Sequence, residues 1–151
     1  MTDVERIVSE YGAAKNRHDP RAALEWCTDD FALEIVPLGE RIEGKAQAIE
    51  YLERFMTAFP DYHGELDTKA SGTDLVIGLW TLRGTLRGEL LGMPPTGRPV
   101  AVPAVSAYFL RDGRLCCERI FFDVATLLTQ AGLPTLGSSP VPAAAALDEA
   151  R

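Results

Sequence analysis

Histidine and cysteine are scarce in this chain, with two of the first and three of the second among 151 residues. His18 and His63 belong to no ligand-spaced set with the cysteines or carboxylates, so a structural zinc site is not expected. Cys27, Cys116 and Cys117 are odd in number and two are adjacent, which is no disulfide framework and predicts reduced thiols in a cytoplasmic protein. Clusters of basic residues are missing too. Fifteen Lys and Arg face 22 Asp and Glu, a net charge of -7, so there is no surface to displace counterions from nucleic acid. The long basic run of a membrane-surface helix is also absent. No apolar run approaches the roughly 20 residues that cross a bilayer, and MTDVERIVSE is too charged for a secretory signal. The glycines of GTLRGELLG lack the Lys-Ser/Thr end of a phosphate loop, and no G-x-S-x-G elbow occurs. The expectation is a protein that needs neither metal nor nucleotide cofactor and contacts neither nucleic acid nor membrane.

What is present suits one folded domain. The chain is 46% hydrophobic, and a chain of this length buries about 70% of the surface it would expose unfolded. Val4, Ile7, Val8, Tyr11 and Ala14 recur at helical spacing. Asp19 and Pro20 cap and start a second helix at DPRAALEW. FALEIV is β-prone, GERIEG reads as a turn, and a third helix carries Ile49, Leu52, Phe55, Met56 and Phe59 on one face until Pro60 stops it. The second half reads as strands, YHGELDTKA, LVIGLWTLRGTLRGEL, RPVAVPAVSAYFL and RLCCERIFF, parted by SGTD, GMPPTG and RDG. No room remains for crossover helices, so these strands form an antiparallel meander. Helices followed by long strands predict an α+β domain with the helices on one face of a curved sheet. That domain spans residues 1–136, and residues 137–151, GSSPVPAAAALDEAR, form a tail that is either a flexible extension or a helical arm.

The chemistry-bearing candidates are carboxylates. On strict alternation Leu115, Cys117, Arg119, Phe121 and Asp123 share one face of the last strand, and Cys116, Glu118, Ile120 and Phe122 share the other. If the first set points inward, Asp123 sits in apolar surroundings beside Arg119, which opposes the effect of burial on its pKa. Asp123 also precedes VATLLTQAG as a good helix N-cap. Pattern alone leaves the two roles open. His63 could line a pocket or face solvent.

FPDYH (residues 59–63), GTLRGELLGMPPTGRPV (84–100) and DGRLCCERIFFDVATLLTQAGL (112–133) resemble, in order and spacing, the SnoaL-like polyketide cyclase (ester cyclase) family. This family is a branch of the nuclear-transport-factor-2-like superfamily, which also holds ketosteroid isomerases and limonene epoxide hydrolases. The N-terminal half matches more loosely, through NRHDP and TDDF. The resemblance implies a cone-shaped barrel, a curved antiparallel sheet wrapped around N-terminal helices in the cystatin-like manner, enclosing one deep pocket and pairing as a homodimer. It implies that Asp123 is the general acid/base of an intramolecular aldol closure, with no metal or cofactor, and that Arg119 and Phe121 face the cavity with it. Leu86 stands where family members commonly carry a histidine, which makes that wall apolar, together with Trp80 and Leu82. Phe59, Phe121 and His63 complete the expected substrate contacts, and Tyr11 falls where ketosteroid isomerases keep an oxyanion-binding tyrosine. The isomerase base aspartate is matched by an apolar residue near Ile35.

The function expected is ring-forming or ring-opening acid–base chemistry on an apolar, polyketide-like carbonyl compound, in a cyclase, lyase or isomerase. Two alternatives stand beside it. One is a non-catalytic dimer of the same fold that binds an apolar ligand. The other is an epoxide hydrolase or cyclase of a polyether-type pathway, with Asp123, Arg119 and Glu34 around one water.

Overall fold

The first helix, α1 (Asp3–Asn16), starts where its own side chains satisfy its free amides. Thr2 Oγ1 accepts from the Glu5 N–H at 3.3 Å, and Glu5 Oε2 accepts from the Thr2 N–H at 3.2 Å, a reciprocal capping box. The structure, a computed structural model, describes residues 1–135; the tail predicted from residue 137 lies outside the described residues. In α2 (Pro20–Leu24) Asp19 accepts from the Ala22 N–H, as the sequence predicts for its N-cap. The third helix, α3 (Lys45–Ala58), ends before Pro60. A last helix, α4 (Val124–Ala131), is capped by Asp123 and closed by Gly132 at φ 72°. No described helix is long and apolar enough to cross a membrane.

Six strands form one sheet: β1 (Cys27–Ile35), β2 (Glu40–Glu43), β3 (His63–Ser71), β4 (Leu75–Thr85), β5 (Pro99–Arg111) and β6 (Arg114–Phe122), in the order β2-β1-β6-β5-β4-β3. The α+β expectation holds, and β3 to β6 are the antiparallel meander. Two points differ from the sequence reading. GERIEG is not only a turn, because Glu40–Glu43 pairs antiparallel with β1. The sheet is mixed, because β1 lies parallel to β6, and it stays open between edge strands β2 and β3 rather than closing. The outward face of β5 carries Pro99, Pro103 and Val105, near exposed Leu79 and Phe121. Pro103 is tolerated in a central strand because β6 pairing begins only at Ala104↔Phe122, so β5 is an edge there.

Two irregularities position the site. Between Phe109↔Cys117 and Leu110↔Leu115 the ladder skips Cys116, a one-residue bulge. Leu115 is buried, and three residues later Glu118 is buried, so the bulge exchanges the two faces of β6. The second is the end of β4. The sequence reads as strand to Leu90, but Asp61 takes the Thr85 amide (2.6 Å) and hydroxyl (2.7 Å), and past Leu86, whose amide donates to the Arg98 carbonyl at 3.0 Å, the amides turn to α3. Arg87 and Gly88 both donate to the Ala58 carbonyl, at 2.9 and 3.2 Å. A Cβ on Gly88 would stand 2.7 Å from the Thr57 carbonyl oxygen, backbone that cannot swing aside.

Gly88→Ala is therefore expected to lower stability by about 1–3 kcal/mol through overpacking. Gly72→Ala, whose Cβ would meet nothing closer than 3.9 Å, should change little. Urea unfolding of both variants checks the contrast.

Candidate active site

Two apolar clusters meet around a cavity of about 100 Å³. Leu33 and Ile35 of β1 and Leu52 and Met56 of α3 wall one side, and Trp80, Leu82 and Val102 of β4 and β5 wall another. Leu90 and Leu91, from the segment that leaves β4, lie at the rim. Leu91 holds φ 51° and Gly92 φ 75° in a tight turn closed by Leu90–Met93 hydrogen bonds, which fixes that rim.

The cavity has one charged patch, Lys15 and Glu118. Lys15 follows Ile7 and Tyr11 at four-residue steps on the inward stripe of α1, and its Nζ lies 3.3 Å from both carboxylate oxygens of Glu118. Tyr11 donates its hydroxyl to Glu118 Oε2 at 2.6 Å. Ser106 donates to Oε1 at 3.2 Å, and itself accepts from the Trp80 indole N–H at 2.9 Å. Glu118 and Tyr11 are wholly buried. Burial acts to lower the pKa of Lys15, but the Glu118 carboxylate outweighs it and holds the ammonium above the ordinary lysine range. Burial first, and the same carboxylate second, push the Tyr11 hydroxyl well above its usual value. Both groups keep their protons, so the negative charge of the site resides on Glu118. This is an ammonium–carboxylate pair at the edge of an apolar chamber, able to donate to one substrate oxygen and accept one substrate proton.

The residues named from sequence fall in four places. Trp80 and Leu82 line the cavity, and Tyr11 stands behind its floor. Phe59 and Leu86 are fully buried in the packing beneath Gly84 and do not line it. His63 opens on a separate groove between α1 and β3. Asp123, Arg119 and Phe121, expected inside, lie outside the cavity, because the Cys116 bulge turns their face away. Phe121 is 44% exposed. Arg119 donates to Glu34 at 2.5 Å, not to Asp123, and Arg41 also pairs with Glu34, so the epoxide-type trio is not assembled. Asp123 is exposed and accepts from the Thr126 hydroxyl at 2.6 Å and from the amides of Ala125 and Thr126 at 3.3 Å. The Thr126 hydroxyl, and then those amides, hold its carboxyl below the usual range. Its visible task is to cap α4.

Lys15, Glu118 and Ser106 were missed. The signal for Lys15 was there, a cation on the Ile7–Tyr11 stripe. For Glu118 it was an acid alternating with Ile120 and Phe122. A charge at such a position reads as solvated unless its partner is known, and the partner is 103 residues away.

The open curved sheet with its helices is a ketosteroid-isomerase-like fold, shared with a solved protein from Catenulispora acidiphila at 22% identity, 85% and 93% coverage and a TM-score of 0.74. The profile of the SnoaL-like polyketide cyclase family matches residues 5–131. The chain belongs to that family. A candidate SnoaL-like polyketide cyclase from Jannaschia sp. CCS1 is 26% identical, with 88% of this chain and 93% of that one covered at a TM-score of 0.79. AclR, a candidate hydroxylase from Streptomyces galilaeus, is 25% identical over 97% of this chain and 92% of its own, at 0.74. IdmH, a candidate polyketide cyclase from Streptomyces antibioticus, shares the fold at 23% identity, 85% and 98% coverage and 0.73. No curated protein sequence matches the chain.

Removing one partner of the buried pair strands the other. Lys15→Met or Glu118→Leu should each destabilise by about 3–5 kcal/mol, whereas the double variant should lose less than either. The pH dependence follows from the raised values. The stability that Lys15 and Tyr11 contribute is present in full below their unfolded pKa values, about 10.4 and 10, and falls as pH rises beyond them. Denaturant midpoints between pH 7 and 11 should fall at the alkaline end for the wild type and less steeply for the double variant. As a cap, Asp123→Asn should keep the wild-type denaturant midpoint and Asp123→Ala should lower it.

Proposed function

We propose that this chain is an acid–base enzyme that removes a proton alpha to a carbonyl of an apolar substrate, the enolisation step of aldol-type ring closure or of isomerisation. The observation that carries this reading is the Lys15–Glu118 pair bordering an otherwise apolar cavity. Membership of a polyketide cyclase family supports it. The substrate carbonyl oxygen accepts from Lys15, Glu118 takes the alpha proton, and the C–H electrons move into the enolate. Negative charge passes from Glu118 to the enolate oxygen while Lys15 stays beside both, so the net charge of the buried site does not change. Fixed donors that follow a migrating charge in a water-poor site are the main source of such rate enhancement. The enolate carbon then attacks a second carbonyl, or takes the proton back, and Glu118 returns the proton to the alkoxide or carbon.

A second reading has its own observation. Both oxygens of Glu118 already accept from protein donors, and a 100 Å³ cavity is small for a multi-ring ligand. A carrier of small apolar molecules would need no free base.

Hydrogen–deuterium exchange at the alpha carbons of 2-tetralone in D₂O, followed by proton NMR, separates the readings. Exchange above the buffer rate is expected, with a loss of about 10²-fold or more in Glu118→Gln. It should persist in Asp123→Asn. A protein that binds the ketone without accelerating exchange is the carrier. Exchange that survives Glu118→Gln and vanishes in Asp123→Asn would move the base back to the outer aspartate.

A further inference from the structure

A second opening reaches the buried pair from another side. Between α1 and β3 runs a groove of about 350 Å³, bordered by Ser9, Gly12 and Asn16 of the helix and His63, Gly64 and Glu65 of the strand. Lys15, Tyr62 and Trp80 line both this groove and the apolar cavity. The partition between the two spaces is therefore one side chain thick, and one of those side chains is that of Lys15.

Two glycines shape the groove. Gly12 lies inside α1, where glycine weakens a helix, and a Cβ on it would meet nothing within 4 Å. Packing does not demand glycine there; its missing side chain leaves the groove unfilled. Across from it, a Cβ on Gly64 would fall 2.8 Å from the Tyr62 hydroxyl and displace the partition. The spacing of helix and strand is fixed by the Asn16 amide, which donates to the Gly64 carbonyl at 2.9 Å and accepts from its N–H at 2.8 Å. Glu118 and Tyr11 have no exposed surface, whereas the Lys15 side chain retains 8%.

We propose that this groove is the solvent and proton route to the Lys15–Glu118 pair, separate from the apolar cavity that takes the substrate. A substrate in the cavity covers the pair from that side, and water finds few partners on apolar walls. The groove offers water a hydroxyl, an amide, an imidazole and carboxylates. Protons on Lys15 Nζ exchange with groove water, so the proton taken from substrate can leave, or be replaced, while the cavity stays closed. That catalytic meaning rests on the enolisation reading; the route itself does not.

The test reads the ligand-free protein, in which Lys15, Lys45 and Lys69 are the only lysines. Solvent exchange of the Lys15 ammonium protons is measured by NMR on ¹⁵N-lysine-labelled protein, with the signal assigned by Lys15→Met. Gly12→Phe, which drops a ring into the groove, should slow exchange about tenfold or more. Ser9→Phe, at an exposed position of the same helix, gives a second plug should the first not fold. Leu38→Trp, on the apolar cavity, should leave the rate near that of wild type. Unchanged exchange in a folded plugged variant, or equal slowing by Leu38→Trp, overturns the route. Failure of the ketone to exchange would overturn enolisation and leave this result standing.

Discussion

The ion pair of Lys15 and Glu118 is the interaction on which the remaining architecture depends. Taking two charges out of water costs several kcal/mol per ion unless good geometry and added hydrogen bonds compensate. Here the compensation comes from separate parts of the chain. Tyr11 and Lys15 arrive on α1, Ser106 on β5 and Glu118 on β6, with Trp80 of β4 donating to Ser106 from behind. Four elements must be in register before the pair is satisfied. The pair then fixes how α1 lies in the sheet, and Lys15 also stacks over the Tyr11 ring at 4.3 Å. A neutral hydrocarbon core could hold the same elements together with less demand on geometry, so the charges point to a use beyond packing.

Two side-chain amides play a matching part at the ends of the sheet. Asn16 completes both hydrogen bonds of Gly64 on β3, and Gln130 does the same for Ala101 on β5, at 2.6 and 3.2 Å. Each acts as one residue of an extra strand, tying a helix to the backbone of the sheet. Thr96 adds a hydroxyl bond to the Ala131 carbonyl at 2.5 Å. This gives a physical reason for the P-P-T-G-R and L-L-T-Q-A-G-L segments that carry the family resemblance: they dock α4 and close one end of the domain.

Most of the fold was legible because its signals are local. Asp19 caps a helix, Pro60 stops one, and Asp112-Gly113, with φ 51° and 73°, makes the last hairpin turn. The misreadings arose where distant contacts decide. Glu40–Glu43 is a strand only because β1 lies beside it, and β4 ends at Thr85 only because Asp61 takes its hydrogen bonds. Within the site, Trp80, Leu82 and Tyr11 followed from the resemblance. Parity failed on β6, since a single extra residue leaves hydrophobicity almost unchanged while reversing every side chain after it. Leu115 was thereby grouped with Arg119 and Asp123 rather than with Glu118, and the resemblance placed Asp123 in the cavity.

The Cys116 bulge has an evolutionary reach that composition hides. β6 carries two sets of side chains, Glu118–Ile120–Phe122 and Arg119–Phe121–Asp123, and the extra residue selects which set meets the interior. A relative lacking Cys116 would keep Glu118 inward on a regular strand. A relative that kept every residue but straightened the bulge would instead turn Arg119 and Asp123 toward its interior. Backbone regularity, as much as residue identity, thus decides which charged groups such a scaffold offers its pocket.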